Sequence, residues 1–165
     1  MKNKEIGINK IIRIFTTWRF VFFLLWKLPM GFLARLRVPI LDSEKSNVIA
    51  PYNYLNKNPF KSMYFAVQAM AAELSTGVLA IIHTDGKNMS ILVTSLKAEY
   101  YKKATTKVNF VCLDGKKILT AVEAAIETGE AQKCVMNSKG YDTNGVCVSE
   151  FEIIWSLKQR LVVKK

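Results

Sequence analysis

Hydrophobic residues change their spacing several times along this chain of 165 residues, and each change marks an element. Ile8, Ile11, Ile12, Phe15 and Trp18 recur at helical spacing, with Lys10, Arg13 and Arg19 off that stripe. Residues 20–26 are then apolar on every side, a run of seven between Arg19 and Lys27. A membrane-spanning helix needs ~20 apolar residues, so the run is too short to cross a bilayer. Arg19 also interrupts it as a cleavable signal. Residues 1–27 therefore read as an N-terminal helix. It either packs on its own domain or on a partner subunit, or rests on an anionic membrane as a basic amphipathic helix. Pro29 and Gly31 close it.

A short strand is predicted over residues 36–41, a turn over 42–47 and an extended segment over 48–55. The next helix is predicted over residues 59–76. Asn58 suits its N-cap, Pro59 its first helical position and Gly77 the residue past its end. Residues 62–72 carry no charge, and a helix apolar on all faces is a buried one. Beyond Gly77, residues 78–82 read as a covered strand. Asp85 and Gly86 mark a turn. Leu92, Thr94, Leu96, Ala98 and Tyr100 alternate with more polar neighbours, as do Val108, Phe110 and Cys112. Ile118, Leu119, Val122, Ala125 and Ile126 return to helical spacing until Gly129. Residues 131–137 form a further strand. Phe151, Ile153, Trp155 and Leu157 then alternate as a half-buried strand of an antiparallel sheet. The pattern predicts an α+β fold of one domain over residues 28–165, preceded by the helix of residues 1–27.

Composition narrows the function. The formal net charge is +11, which favours an anionic partner: nucleic acid, a membrane surface or a phosphorylated small molecule. Residues 1–45 supply +6 of it, residues 46–101 only +1. Tyr100 and Tyr101 beside Lys102 and Lys103 form a stacking-plus-phosphate pattern, but no nucleic-acid-binding motif accompanies it, so nucleic acid is the least supported partner. Cys112, Cys134 and Cys147 are odd in number and make no C-x-x-C pair, which argues against a disulfide framework and a zinc site. They read as small core residues in a reducing, cytoplasmic compartment. His83, the single histidine, reads as a structural residue on a strand. No metal site is expected.

Glu73 is the one residue whose chemistry stands out. It lies in the apolar helix, where an ionised carboxylate is costly. Either it reaches water or a lysine near the helix end, or desolvation raises its pKa toward that of a general base working near neutrality.

A spacing around it resembles a known motif. Asn58 and Glu73 fall on the Asn and the acid of N-x-x-G-x-x-H-G-G, six residues, then Asp or Glu. That motif belongs to hotdog-fold thioesterases of the phenylacetate-pathway type. Lys61 stands at its first Gly, and Tyr64, Phe65 and Ala66 at H-G-G. The start N-P-x-x-x-x-Y and the end E-x-x-x-G are similar to a divergent thioesterase-like branch, and the likeness covers residues 28–158.

The resemblance implies a hotdog fold, an antiparallel sheet wrapped around a long central apolar helix. It implies an acyl-thioester hydrolase acting on acyl-CoA or acyl carrier protein, with coenzyme A present only as part of the substrate and no other cofactor. Glu73 would be nucleophile or general base. Asn58 would orient a carbonyl or water, or merely cap its helix. The backbone N–H of Phe65 or Ala66 would hold the oxyanion. Tyr64, Gln68 and Thr76 would line the pocket, and Lys57, Lys61, Lys102 and Lys103 would meet substrate phosphate. A homodimer or homotetramer follows, because the acid of one subunit usually serves the helix start of another. The departures from H-G-G leave a second reading, a non-catalytic acyl- or lipid-binding dimer held at a membrane through residues 8–27.

Overall fold

The computed structural model describes residues 2–160, with side chains from residue 8 onward. Its elements run α1 (Lys2–Phe15), α2 (Arg19–Lys27), α3 (Pro29–Leu33), β1 (Arg37–Leu41), β2 (Ser46–Ala50), α4 (Phe65–Thr84), β3 (Met89–Tyr100), β4 (Val108–Cys112), α5 (Gly115–Thr128), β5 (Gln132–Tyr141) and β6 (Cys147–Gln159). A single 3₁₀ turn, Tyr54–Asn56, lies between β2 and α4.

All six strands join one antiparallel sheet in the order β1-β2-β4-β5-β6-β3. Both α4 and α5 pack on one face of it. The inner face carries Val48, Val108, Phe110, Met136, Phe151, Ile153 and Leu157, each fully buried. Ala71, Ala72, Val78, Leu79 and Ala80 of α4 meet them, also fully buried. Small residues on the helix let a long apolar cylinder lie close to a curved sheet. α4 is long and apolar enough to span a bilayer, but most of it is enclosed by the sheet. It is the core helix that its uncharged sequence predicts.

Its position along the chain differs from the prediction. The helix runs over residues 65–84 instead of 59–76. Asn58 heads a separate turn, and Tyr64, with φ −62° and ψ 132°, stands at the helix N-cap. Gly77 is an interior residue. It faces the Trp155 ring, and a methyl there would lie 3.5 Å from both that ring and Glu73 Oε1. Residues 78–82 are therefore helix, not strand, and His83 is a helical residue whose Nε2 bonds the Ser43 carbonyl at 2.8 Å. A run of Val, Leu, Ala and Ile satisfies a buried helix as readily as a buried strand, so periodicity alone does not separate the two.

The strand alternation is correct in β6 but changes phase in β3. Val93 pairs with Trp155 while Ser95 pairs with Ile154, so Thr94 is an extra residue. A bulge of this kind moves everything before it to the other face. Ile91 and Val93, not Leu92 and Thr94, share the inner face with Leu96 and Ala98. The N-terminal helix is also two helices, interrupted at residues 16–18, and Pro29 opens α3 instead of closing what precedes it. The extended segment after residue 48 stops at Ala50.

Candidate active site at the start of the core helix

The start of α4 is fixed from three directions. Asn58 Oδ1 accepts from the backbone N–H of Phe60 (3.0 Å) and Ser62 (3.1 Å) and from Ser62 Oγ (3.2 Å). This closes a tight turn in which Lys61 adopts φ 57°. Met63 N–H donates to the Ala104 carbonyl at 2.7 Å, and Tyr64 N–H to the Asn56 carbonyl at 2.8 Å. Asn56 is itself buried, with its amide donating to the Ala34 and Pro51 carbonyls. Nothing in the motif points to Asn56. Its only signal is the Asn53-x-x-Asn56 turn pattern, in which the Asn53 side chain accepts from Asn56 N–H.

The chain then enters α4 with free donors. Among the described residues, neither Phe65 N–H nor Ala66 N–H meets a hydrogen-bond acceptor. Val67 and Gln68 N–H both donate back to the Tyr64 carbonyl. Free amides at a helix start carry positive partial charge and suit an oxyanion.

Two cavities flank this start. A groove of about 300 Å³ is bordered by Asn58, Phe65, Gln68, Tyr100, Lys102 and Lys103. An apolar pocket of about 460 Å³ lies on the other side, walled by Met30, Leu33, Leu55, Tyr64, Val67 and Met70, with Ala66 at its edge. Tyr64 and Phe65 form the ridge between them, their rings edge to face at 4.8 Å. The resemblance gave no warning of the apolar pocket, because Met30 and Leu33 come from α3, far away in sequence.

The expected site residues divide accordingly. Asn58, Phe65, Gln68, Lys102 and Lys103 come together on the groove, and Tyr64 and Ala66 on the pocket. Asn58 does not cap the core helix; its carboxamide is committed to its own turn. Gln68 is anchored, accepting from Ser149 Oγ at 2.9 Å. Thr76 lines neither cavity: it is fully buried, donates to the Glu73 carbonyl at 2.9 Å and accepts from Trp155 Nε1 at 3.0 Å. Lys57 stacks its ammonium over the Tyr52 ring at 4.7 Å, and neither it nor Lys61 borders the groove.

Glu73 is half-buried beside Gly77 on the flank of α4 that faces Trp155. Burial pushes its carboxyl above the usual range, and among the described residues no cation pairs with it. Eight residues separate it from Phe65, roughly 12 Å along the axis at 1.5 Å per residue. Its carboxylate and the free amides of the same chain are therefore too far apart to act on one atom.

An antiparallel sheet wrapped around a buried helix of this length is the hotdog architecture. A crystal structure from Pseudomonas aeruginosa, named as a protein of unknown function and probable thioesterase, superposes with a TM-score of 0.76 at 20% identity, covering 87% of this chain and 97% of that one. A mutant thioesterase from the same species gives 0.64 at 15% identity over 78% and 85%. A thioesterase from Haemophilus influenzae gives 0.61 at 9% identity over 86% and 90%. At these identities the likeness establishes the shared fold. No curated protein matches the sequence. The chain belongs to the family described as Domain of unknown function (DUF4442), whose model matches residues 16–157.

Proposed function

We propose that the protein is an acyl-thioester hydrolase working as a symmetric dimer. The observation that carries this reading is the meeting of two unlike cavities at one pair of free amides. The apolar pocket suits an acyl chain, and its volume falls in the range of ligand pockets, ~300–1,000 Å³. The groove bordered by Lys102 and Lys103 suits the phosphates of coenzyme A or of an acyl carrier. A thioester bridging the two would lay its carbonyl oxygen against Phe65 N–H and Ala66 N–H. The charge that develops on that oxygen would then be stabilised more than the ground-state carbonyl.

The carboxylate in this scheme comes from a second copy. β3 is an edge strand of twelve residues with exposed Leu92, Leu96 and Tyr100. A long exposed edge invites pairing with another strand. Joining two β3 edges about a two-fold axis would set the two α4 helices side by side and antiparallel. Glu73 of each would then approach the helix start of the other. As general base, Glu73 takes a proton from water, the water oxygen bonds to the acyl carbon, the C–S bond breaks and the thiolate leaves with the proton. As nucleophile, it attacks that carbon directly and the anhydride is hydrolysed afterwards.

The test is turnover of a panel of acyl-CoA thioesters of increasing chain length. Wild type should favour long chains, and Glu73→Gln should lose on the order of 10²–10⁴-fold. Full activity in the variant would remove Glu73 from the chemistry. The bulky Phe65 at a motif glycine favours the second reading, acyl binding without hydrolysis. Tight binding of long acyl groups with no turnover across the panel would establish that instead.

A further inference from the structure

Helix α2 presents an apolar face that none of the described residues covers. Phe20 and Leu24 point into the core, while Trp18 (69% exposed), Phe22, Trp26 (80% exposed), Val21 and Leu25 point outward. At 3.6 residues per turn these five outward residues share an arc of roughly 140°. Met30 and Leu33 continue the exposed surface through α3 to the wall of the apolar pocket. Soluble proteins seldom expose contiguous apolar surface of this kind without a use for it.

The charge around the face identifies its partner. Residues 6–41 contain no Asp or Glu but six Lys or Arg. Lys10, Arg13, Arg19, Lys27, Arg35 and Arg37 are all exposed, and none forms an ion pair among the described residues. Arg19 Cζ lies 5.9 Å from the centre of the Trp18 ring. Tryptophans flanked by unpaired cations match the boundary between lipid headgroups and acyl chains. A second copy would bring the same six cations against each other. α1 also packs on β1, at the sheet edge opposite β3, so the face is separate from the edge assigned to the dimer.

We infer that α2, with basic flanks on α1 and in the segment just after α3, docks the protein on an anionic membrane surface. Trp18, Phe22 and Trp26 enter the interface, and the six cations meet lipid phosphates. Each cation near such a surface contributes roughly fivefold to partitioning. The inference does not depend on hydrolysis.

Flotation of the full chain with vesicles tests it, using pure phosphatidylcholine and a mixture of about two parts phosphatidylcholine to one part phosphatidylglycerol. Wild type should float with the anionic vesicles and be released by added salt. Trp18→Ala/Phe22→Ala/Trp26→Ala should bind at least about tenfold more weakly. Arg19→Glu/Lys27→Glu should abolish the preference for phosphatidylglycerol. Since the substituted side chains are exposed, far-UV circular dichroism should match wild type. Trp155 is buried, so quenching by brominated lipid should report Trp18 and Trp26 alone. Glu73→Gln should bind vesicles as wild type does, which separates docking from chemistry. Failure of wild type to bind anionic vesicles would overturn the inference. So would equal binding by the triple variant, or a fall in its solution mass showing that a second copy covers the face.

Discussion

If Glu73 of one protomer serves the α4 start of the other, two inactive variants should repair each other when mixed. The first is Glu73→Gln. The second is Phe65→Pro, which deletes one amide from the helix start. Proline suits this position: it is the first helical residue, where the N–H has no partner among the described residues, and Tyr64 before it already has ψ 132°. Loss of one oxyanion donor is expected to lower kcat about 10²–10³-fold, or ~2.7–4 kcal/mol. Loss of the carboxylate costs on the order of 10²–10⁴-fold. In a mixed dimer both defects fall on one of the two symmetric sites and the other site is intact. Random reassociation makes half the dimers mixed, so activity should recover to about one quarter of wild type. The assay is thioester turnover after joint unfolding and refolding of equimolar variants, with each variant refolded alone as control. The roughly 12 Å between Phe65 and Glu73 along one helix carries this expectation. If the mixture stays at the level of its parents, both groups act within one chain and the reasoning fails.

Three further outcomes follow from particular contacts. Gly115→Ala would drive a methyl into the Ser43 carbonyl and to 2.5 Å from Glu44 Cα; because backbone cannot rotate away, stability should fall by about 1–3 kcal/mol in urea unfolding. Gly77→Ala should do the opposite, since its methyl meets only ordinary contacts at 3.5 Å and relieves the ~0.5–1 kcal/mol cost of a mid-helix glycine; a loss of stability would show that the Trp155 packing tolerates no addition. The Glu73 carboxyl is raised by burial, so the folded protein keeps its proton at a pH where the unfolded chain has lost it. Wild type should therefore lose stability relative to Glu73→Gln as pH rises from the ordinary carboxylate range, ~4.3, through the raised value, and the two should converge below it. Unfolding at about pH 4 and about pH 8 reads the difference, and turnover should rise over the same interval because the ionised form is the reactive one.

Several features follow from sequence alone because local physics decides them. Residues 62–72 carry no charge, so the helix they lead into is the core helix; Tyr64 and Phe65, at its start, are the exposed ones. The alternation of Phe151, Ile153, Trp155 and Leu157 admits one inner face. Gly129, at φ 72°, stops α5 as its position predicts. The acid at position 73 is conspicuous because it interrupts an apolar run.

Tertiary structure decided the rest. Whether Val78 to Ile82 continued the helix depended on a sheet long enough to cover two more turns, which no local pattern encodes. The phase of β3 depended on one extra residue opposite β6. Asn58 fitted a helix cap by type, yet the Asn56 and Ala104 carbonyls hold residues 63 and 64 extended, and this moved the helix start six residues onward. With that shift Phe65 and Ala66 became the free amides, between a lysine-bordered groove and a pocket walled by α3. The sequence by itself determined which segments were apolar enough to need cover. Only the fold determined which of them would meet, because those meetings join segments whose separation along the chain carries no signal of their distance in space.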